Sequence, residues 1–162
     1  MSRLRDCAAS FLYLGKFPFV PGTVGSLGAA ALYLLVALAL KLQGVCLSVF
    51  AGAAGLVFAA VGIAIGRWAQ DYYGQRDPRQ FVLDEAAGMM ISLVTVTPTL
   101  WAQPPWRVAL AAFLLFRLFD IVKPCPASRA EQLHGGWGIV LDDVIAGIYA
   151  AALTHVWFHF VA

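Results

Sequence analysis

Acidic residues lie at the ends of apolar segments, where an uncompensated carboxylate is costly. There are five of them: Asp84 and Glu85 before one segment, Asp120 at the end of another, and Asp142 and Asp143 before the last. A single acid at a helix start can be a cap that the helix dipole stabilises. Capping does not explain adjacent acids, or an acid at a helix carboxyl end. Because Mg²⁺ prefers oxygen ligands of this kind, the pattern predicts a magnesium site built from all five.

The motif Asp-x-x-Ala-Gly occurs twice, from Asp84 to Gly88 and from Asp143 to Gly147. Each copy places a glycine one helical turn after the acid, and small residues allow membrane helices to pack closely. The repeat therefore predicts that two helices cross tightly and that Asp84 and Asp143 face each other.

A second feature is the glycine-rich segment 21–26, Pro-Gly-Thr-Val-Gly-Ser, at the start of the first long apolar run. Its glycines could let a phosphate approach the free N–H groups of a helix start, so Thr23, Gly25 and Ser26 are candidate substrate-binding residues. The alternative is an ordinary membrane-helix start with glycine turns. It is not a P-loop, because no Gly-Lys-Ser/Thr follows.

Arg117, Asp120 and Lys123 follow one another at intervals of three and therefore share a helix face. Arg117 is surrounded by Phe and Leu, so it either pairs with a neighbouring acid or binds the substrate phosphate. Both cations are candidate substrate-binding groups. Further on, Gly-Gly-Trp-Gly at 135–138 predicts a flexible turn that returns the last acidic pair to the same region.

The composition indicates a membrane protein. Of 162 residues, 61% are hydrophobic and 12% are charged, against roughly 45–50% and about 25% in soluble domains. A small soluble domain has too much surface to bury so many apolar side chains. The length predicts one domain over 1–162, and a net charge of +2 without a basic stripe argues against nucleic acid.

The apolar segments predict an all-α integral membrane bundle of about five transmembrane or re-entrant helices. They are 23–40, 45–66, 86–101, 106–119 and 144–162. The fourth is short for a span, and a re-entrant helix is its main alternative. Before them, 1–16 reads as an amphipathic segment on an anionic membrane face, with Arg3 and Arg5 toward the headgroups.

The basic residues indicate the orientation of the bundle. With about five spans, only Lys41 and Arg107 fall clearly on one side, and the other basic residues fall on or near the opposite side. The positive-inside rule then places the amino terminus and the polar stretches 67–79 and 121–138 in the cytoplasm, and the carboxyl terminus outside. The acidic groups would therefore face the cytoplasm.

At the level of motifs, the chain resembles the phosphatidylglycerophosphatase A family. The resemblance rests on 21–26, 83–88, 116–126 and 135–147, and these motifs extend over most of the chain. One departure is Cys125, where an aromatic residue is expected between two prolines. The resemblance implies magnesium-dependent hydrolysis of the phospholipid phosphatidylglycerophosphate to phosphatidylglycerol and phosphate, in the bacterial inner membrane. It also implies that the metal and catalytic cluster consists of Asp84, Glu85, Asp120, Asp142 and Asp143.

Two chemical routes stay open at this point. A water could attack the phosphate while Asp143 or Glu85 accepts its proton, or an aspartyl-phosphate could form. Two other functions also remain: a small transporter, which would be expected to carry its acids mid-span, and a non-catalytic membrane assembly protein. Asp77 and Glu131 lie in predicted polar loops, so their substitution should cost much less activity.

Overall fold

The computed structural model describes residues 2–160, and those residues form helices and connecting segments without a strand. Eight α-helices follow one another along the chain, with a 3₁₀ turn at Leu14–Lys16 between the first two. They are α1 (Ser2–Ala9), α2 (Pro21–Ala39), α3 (Gly44–Tyr73), α4 (Leu83–Ser92), α5 (Pro98–Trp101), α6 (Pro105–Val122), α7 (Ala127–Ala130) and α8 (Gly136–Phe160). The expected all-α class is confirmed.

Three helices, α2, α3 and α8, are long and apolar enough to cross a membrane, at 19, 30 and 25 residues. At 1.5 Å per residue, α3 is about 45 Å long and extends beyond a hydrocarbon core of about 30 Å. Helix α4 has 10 residues and reaches only about 15 Å. The apolar segment 86–101 is therefore not one continuous helix, because a non-helical link separates α4 from α5.

Helix α4 is the centre of the bundle, and eight of its ten residues are buried. Small residues of α3 allow this close approach: a Cβ added to Gly55 would lie 2.8 Å from Cγ1 of Ile91 on α4. Large apolar side chains instead point outward from the longer helices, including Leu56, Leu114 and Ile148. Small residues inside and large apolar residues outside are the arrangement expected of helices surrounded by lipid.

Helix α8 begins at Gly136, eight residues before the predicted start of the last apolar helix at 144. Asp142 and Asp143 therefore lie about two turns into this helix and are not caps of its first turn. The reason is packing, since Gly136 lies against the backbone of Ile63 on α3 and follows directly on Gly135, whose φ is +67°. The predicted end of this helix at 162 lies outside the described residues.

The amino-terminal segment is docked on the bundle. Asp6 is buried and accepts hydrogen bonds from Lys16 Nζ at 2.5 Å and from the Tyr73 hydroxyl at 2.5 Å. Phe11 packs edge-on against Phe58 with ring centroids 5.3 Å apart. Burial alone would raise the pKa of Asp6, but the bonds from Lys16 and Tyr73 outweigh it and hold this pKa below its usual value. The first residue of the predicted amphipathic segment, Met1, lies outside the described residues.

The connectivity creates two distinct ends of the bundle. At one end, which we call the cavity end, α2, α4 and α8 begin while α3 and α6 finish. At the opposite end, the far end, the α2–α3 turn lies near α5 and the last turns of α8. All five predicted acids lie at the cavity end, whereas Lys41 and Arg107 belong to the far end.

Candidate active site

Two glycines bring the acidic helices together. A Cβ added to Gly88 of α4 would lie 2.5 Å from the carbonyl oxygen of Asp143, and one added to Gly147 of α8 would overlap the carbonyl oxygen of Gly88. The two backbones are therefore in direct contact, and any side chain at either position would force them apart. The close crossing predicted from the Asp-x-x-Ala-Gly repeat is confirmed.

This crossing creates a group of three carboxylates. Asp84, Glu85 and Asp143 each offer an oxygen, and these oxygens all lie within 4.8 Å of one another. Asp84 and Asp143 are buried, at 5% and 4% exposure. Neither residue occupies the N-cap position of its helix, because α4 begins at Leu83 and α8 at Gly136. Asp84 Oδ1 accepts one backbone hydrogen bond, from the Glu85 N–H at 2.9 Å. We call these three residues the carboxylate triad.

The environment of the triad opposes negative charge. Burial raises the pKa of Asp84 well above its usual value, and the neighbouring charges of Glu85 and Asp143 raise it further. Burial also raises the pKa of Glu85 to about 6, with the Asp120 charge adding to the effect and Asp84 and Arg117 opposing it. Like charges held together away from water require a compensating cation or proton.

Two buried carboxylate oxygens at this end lack a donor. They are Glu85 Oε2 and Asp142 Oδ1, and nothing within residues 2–160 hydrogen-bonds to either. Buried polar atoms in folded proteins are almost always bonded, so an unpartnered charged oxygen points to a ligand or a water.

The remaining two predicted acids pair with the predicted cations. Arg117 Nη1 lies 2.7 Å from Asp120 Oδ2, and Lys123 Nζ lies 2.8 Å from Asp142 Oδ2. Asp120 is thereby neutralised in the last turn of α6, where the helix dipole disfavours an anion. Lys123 also approaches Glu131 at 3.4 Å. Burial alone would lower the pKa of Lys123, but Asp142 and Glu131 outweigh it and raise this pKa above its usual value.

A cavity of about 380 Å³ opens over these residues. This volume lies in the range of roughly 300–1,000 Å³ that small-molecule sites occupy. All five predicted acids and Lys123 line it.

Other polar residues on the cavity wall were not singled out from sequence, or were expected to matter little. They are Gln70, Arg76, Asp77, Ser128, Glu131 and Gln132. They come from the end of α3, from the link between α3 and α4, and from α7 and the residues just after it, which the sequence marks only as polar. The polar stretches themselves were the one available signal, since both flank the acidic helices.

The glycine-rich segment 21–26 lies behind the triad, and Thr23, Gly25, Ser26 and Arg117 are not among the residues that line the cavity. A Cβ on Gly22 would overlap Glu85 Oε1, and one on Gly25 would lie 2.8 Å from Val82 Cβ. Ser26 Oγ donates to the Gly22 carbonyl at 3.0 Å and accepts from Arg117 at 3.4 Å. These glycines therefore bring α2 close to α4, and their role toward phosphate stays a prediction.

The donor set fits a hard divalent cation. The triad offers only carboxylate oxygens, which such cations prefer over nitrogen and sulfur. Glu85 Oε2 supplies an unpartnered oxygen beside the triad, and the raised pKa values of Asp84 and Glu85 show the deficit of positive charge that a cation would correct.

Comparison with known proteins agrees with this geometry. The profile of the family described as phosphatidylglycerophosphatase A matches residues 7–158. Phosphatidylglycerophosphatase A of Escherichia coli K12 is 33% identical over 142 residues, 87% of this chain and 76% of that protein. Its namesake in Haemophilus influenzae Rd is 38% identical over 139 residues, 83% of this chain and 76% of that protein.

A Bacteroides thetaiotaomicron protein with the provisional name phosphatidylinositol-3-phosphatase is 38% identical over 143 residues, 88% of this chain and 86% of that protein. No solved structure matches the chain significantly. Since the family profile extends over the helices that carry all five acids, the chain is a phosphatase and belongs to the phosphatidylglycerophosphatase A family.

Proposed function

We propose that this protein is a magnesium-dependent phosphatase that hydrolyses phosphatidylglycerophosphate to phosphatidylglycerol and inorganic phosphate at the cytoplasmic membrane face. The observation that carries the proposal is the carboxylate triad at the α4–α8 crossing, with oxygens within 4.8 Å. Its place at one end of a bundle of apolar helices suits a substrate whose phosphate lies at the membrane surface and whose tails lie in lipid.

Asp84, Glu85 and Asp143 would hold the magnesium ion. When bound, the ion supplies positive charge that stabilises the phosphoryl oxygens in the transition state. Asp120 and Asp142 belong to the same cluster but have a further task, since each holds a cation in place at 2.7 or 2.8 Å. The predicted set of five acids thus divides into a central triad and two positioning acids.

The chain's own residues then bind and orient the phosphate. Lys123 lines the cavity and is anchored by Asp142, so it can neutralise charge on the phosphoryl oxygens. Arg117 is held between Asp120 and Ser26, at the back of the triad. From there its positive charge would offset the negative charge of the carboxylates. Arg117 could contact the substrate directly only if its guanidinium left Asp120.

The reaction is a displacement at phosphorus. The oxygen of a water attacks phosphorus while the base accepts a proton from that water, the bond to the glycerol oxygen breaks, and the leaving oxygen takes up this proton. Glu85 is the better placed of the two proposed bases, because its Oε2 has no hydrogen-bond donor among the described residues. The alternative, transfer of the phosphoryl group to an aspartate, would differ in one observable: enzyme quenched during turnover would carry acid-stable protein-bound phosphate.

The test is phosphate release by purified protein in detergent, with and without magnesium. We expect turnover of phosphatidylglycerophosphate that EDTA abolishes and excess magnesium restores. Full turnover in excess EDTA would contradict the metal dependence. Phosphatidylinositol-3-phosphate is the matched comparison substrate, because one relative carries that name. Absence of turnover on both lipids would contradict the proposed substrate.

The orientation is a separate proposal with its own measurement. The basic residues segregate between the two ends, so Arg76 and Arg129 should lie inside, and Lys41 and Gln103 outside. Single cysteines at these positions, in a variant without the native cysteines, are labelled with an impermeant reagent in intact cells. Strong labelling at 76 or 129 before lysis would reject the arrangement.

A further inference from the structure

An apolar groove of about 390 Å³ lies on the outer surface between α6 and α8. Phe119 forms one side, and Tyr149, Leu153 and Val156 form the other. Leu153 and Val156 are 39% and 50% exposed. The groove therefore opens onto the same outer surface on which the long helices present large apolar side chains to lipid.

The groove and the catalytic cavity share a wall. Asp120 and Lys123 line the cavity, whereas their chain neighbours Phe119 and Pro124 line the groove. The backbone around 119–125 consequently lies between the charged cavity and the apolar groove.

Helix α8 connects the two compartments along one face. Asp142 lines the cavity, and Tyr149, Leu153 and Val156 follow at intervals of seven, four and three, which places all four on one stripe of the helix. From Asp142 to Val156 this stripe is about 21 Å long. It begins at the phosphate-binding end and runs toward the far end of the bundle.

Tyr149 is fixed at the junction between the compartments. Its hydroxyl donates to the Cys125 carbonyl at 2.9 Å, and its ring lies 5.6 Å from the ring of Phe119. The hydroxyl therefore faces the backbone between the two compartments, while the ring lines the groove beside Phe119.

We infer that this groove holds one acyl chain of the lipid substrate while its phosphate lies in the cavity; the inference rests on the proposed function. A diacyl lipid with its phosphate among the acids must extend its chains toward the bilayer, and the groove is the apolar surface that starts at the cavity wall. Lipid tails are as apolar as the groove, so the gain comes from orientation of the phosphate, not from hydrophobic burial. Long chains should therefore react more efficiently than chains too short to fill the groove.

The test fills the groove and compares two substrates with the same headgroup. Ala152 lines the groove, whereas Ile148 lies one turn away on α8, is 53% exposed and does not line it. Ala152→Trp should lower kcat/KM for dioleoyl phosphatidylglycerophosphate by about tenfold or more, since small misplacements of a reacting group have effects of that order. It should leave the dihexanoyl substrate within about twofold of wild type, and Ile148→Trp should change neither.

An equal loss of activity on both substrates, or no loss on either, would overturn the inference. Failure of the proposed function looks different, because wild-type protein would then release phosphate from neither substrate. Modification of Cys125 tests the groove without turnover: this exposed thiol lines it, and Cys7→Ser and Cys46→Ser remove the other two thiols. Dioleoyl lipid should slow maleimide labelling of Cys125 and dihexanoyl lipid should not; equal rates would count against the groove.

Discussion

At the far end of the bundle, the non-helical link between α4 and α5 has its polar groups bonded to side chains. Ser48 Oγ accepts the Thr95 N–H at 3.0 Å and donates to the Thr95 carbonyl at 2.6 Å. Trp101 Nε1 donates to the same carbonyl at 3.1 Å, and the Val96 N–H donates to His155 Nε2 at 2.9 Å. Irregular backbone among membrane helices is tolerated where neighbouring groups satisfy it in this way.

The cavity end shows the opposite arrangement. Three carboxylates are held together, and Glu85 Oε2 and Asp142 Oδ1 lack donors within residues 2–160. Among the residues that the structure describes, the far end has one comparable atom, the Thr97 hydroxyl. This hydroxyl is neutral and therefore far less costly to leave unbonded. Matched polar groups hold the fold together, whereas unmatched charged groups mark the place where a ligand must supply the missing partner.

The largest expected effect comes from removing charge at the cavity end. Asp84→Asn and Asp143→Asn preserve volume but weaken the cation site, so each should lower turnover by at least about 100-fold, as loss of a principal electrostatic stabiliser does. The double variant should lose little more than either single one, because residues that act as a unit are not additive. Phosphate release by purified variants measures both.

The control for these variants is Asp71→Asn, an exposed acid of α3 that does not line the cavity. Asp71→Asn should keep near-wild-type turnover. Glu131→Gln should lower turnover only slightly, because Glu131 lines the cavity but lies outside the triad and is 3.4 Å from Lys123. If Glu131→Gln is as damaging as Asp143→Asn while both proteins stay folded, the assignment of the triad is wrong.

The comparison also predicts opposite effects on stability at the two ends. Ser48→Ala leaves the buried N–H of Thr95 without its side-chain partner, which should lower the free energy of unfolding by about 1–3 kcal/mol. The folded fraction should retain its turnover. Thr99→Ala, at an exposed position near the same link, should change neither quantity.

In metal-free protein, Asp143→Asn should have no such stability loss and should raise the melting temperature, because it removes one of several like charges buried together. Thermal denaturation in detergent with EDTA compares this variant with Ser48→Ala. If both variants melt at a lower temperature than wild type, the proposed difference between the hydrogen-bonded far end and the uncompensated cavity end is wrong.

The smallest effect concerns Asp6, a buried acid whose two carboxylate oxygens both accept hydrogen bonds. Its folded-state pKa lies below the usual value because Lys16 and Tyr73 donate to it. A depressed carboxyl pKa stabilises the fold above the unfolded-state pKa of about 3.9, and this contribution is lost as pH falls through the lower folded-state value. The stability difference between wild type and Asp6→Asn should therefore shrink below about pH 4. Denaturation curves of both proteins between about pH 3 and about pH 7 measure this difference. A difference that grows as the pH falls would contradict the pairing of Asp6 with Lys16 and Tyr73.

Much of this organisation was predictable, because membrane helices are marked by their length and composition. The all-α class and the α4–α8 crossing followed from apolar runs and from glycines one turn after an acid. The break after Ser92 was not predictable, since 93–97 is uncharged and mostly apolar, as is 86–92 before it. Its irregular backbone depends on Ser48 and His155, which are distant in sequence.

The amino-acid sequence by itself determined which residues can carry the chemistry, because adjacent acids beside apolar helices are costly unless a cation compensates them. Only the tertiary structure decided how these acids divide, with Asp84, Glu85 and Asp143 converging and Asp120 and Asp142 each turned to a cation. It also brought Asp77 and Glu131 from polar loops to the cavity wall. Spacing along a chain fixes the face of a helix on which a residue lies, and with it a pair within one helix such as Arg117 with Asp120. Distances between helices depend on packing, which sets the convergence of the triad and the pairing of Lys123 with Asp142.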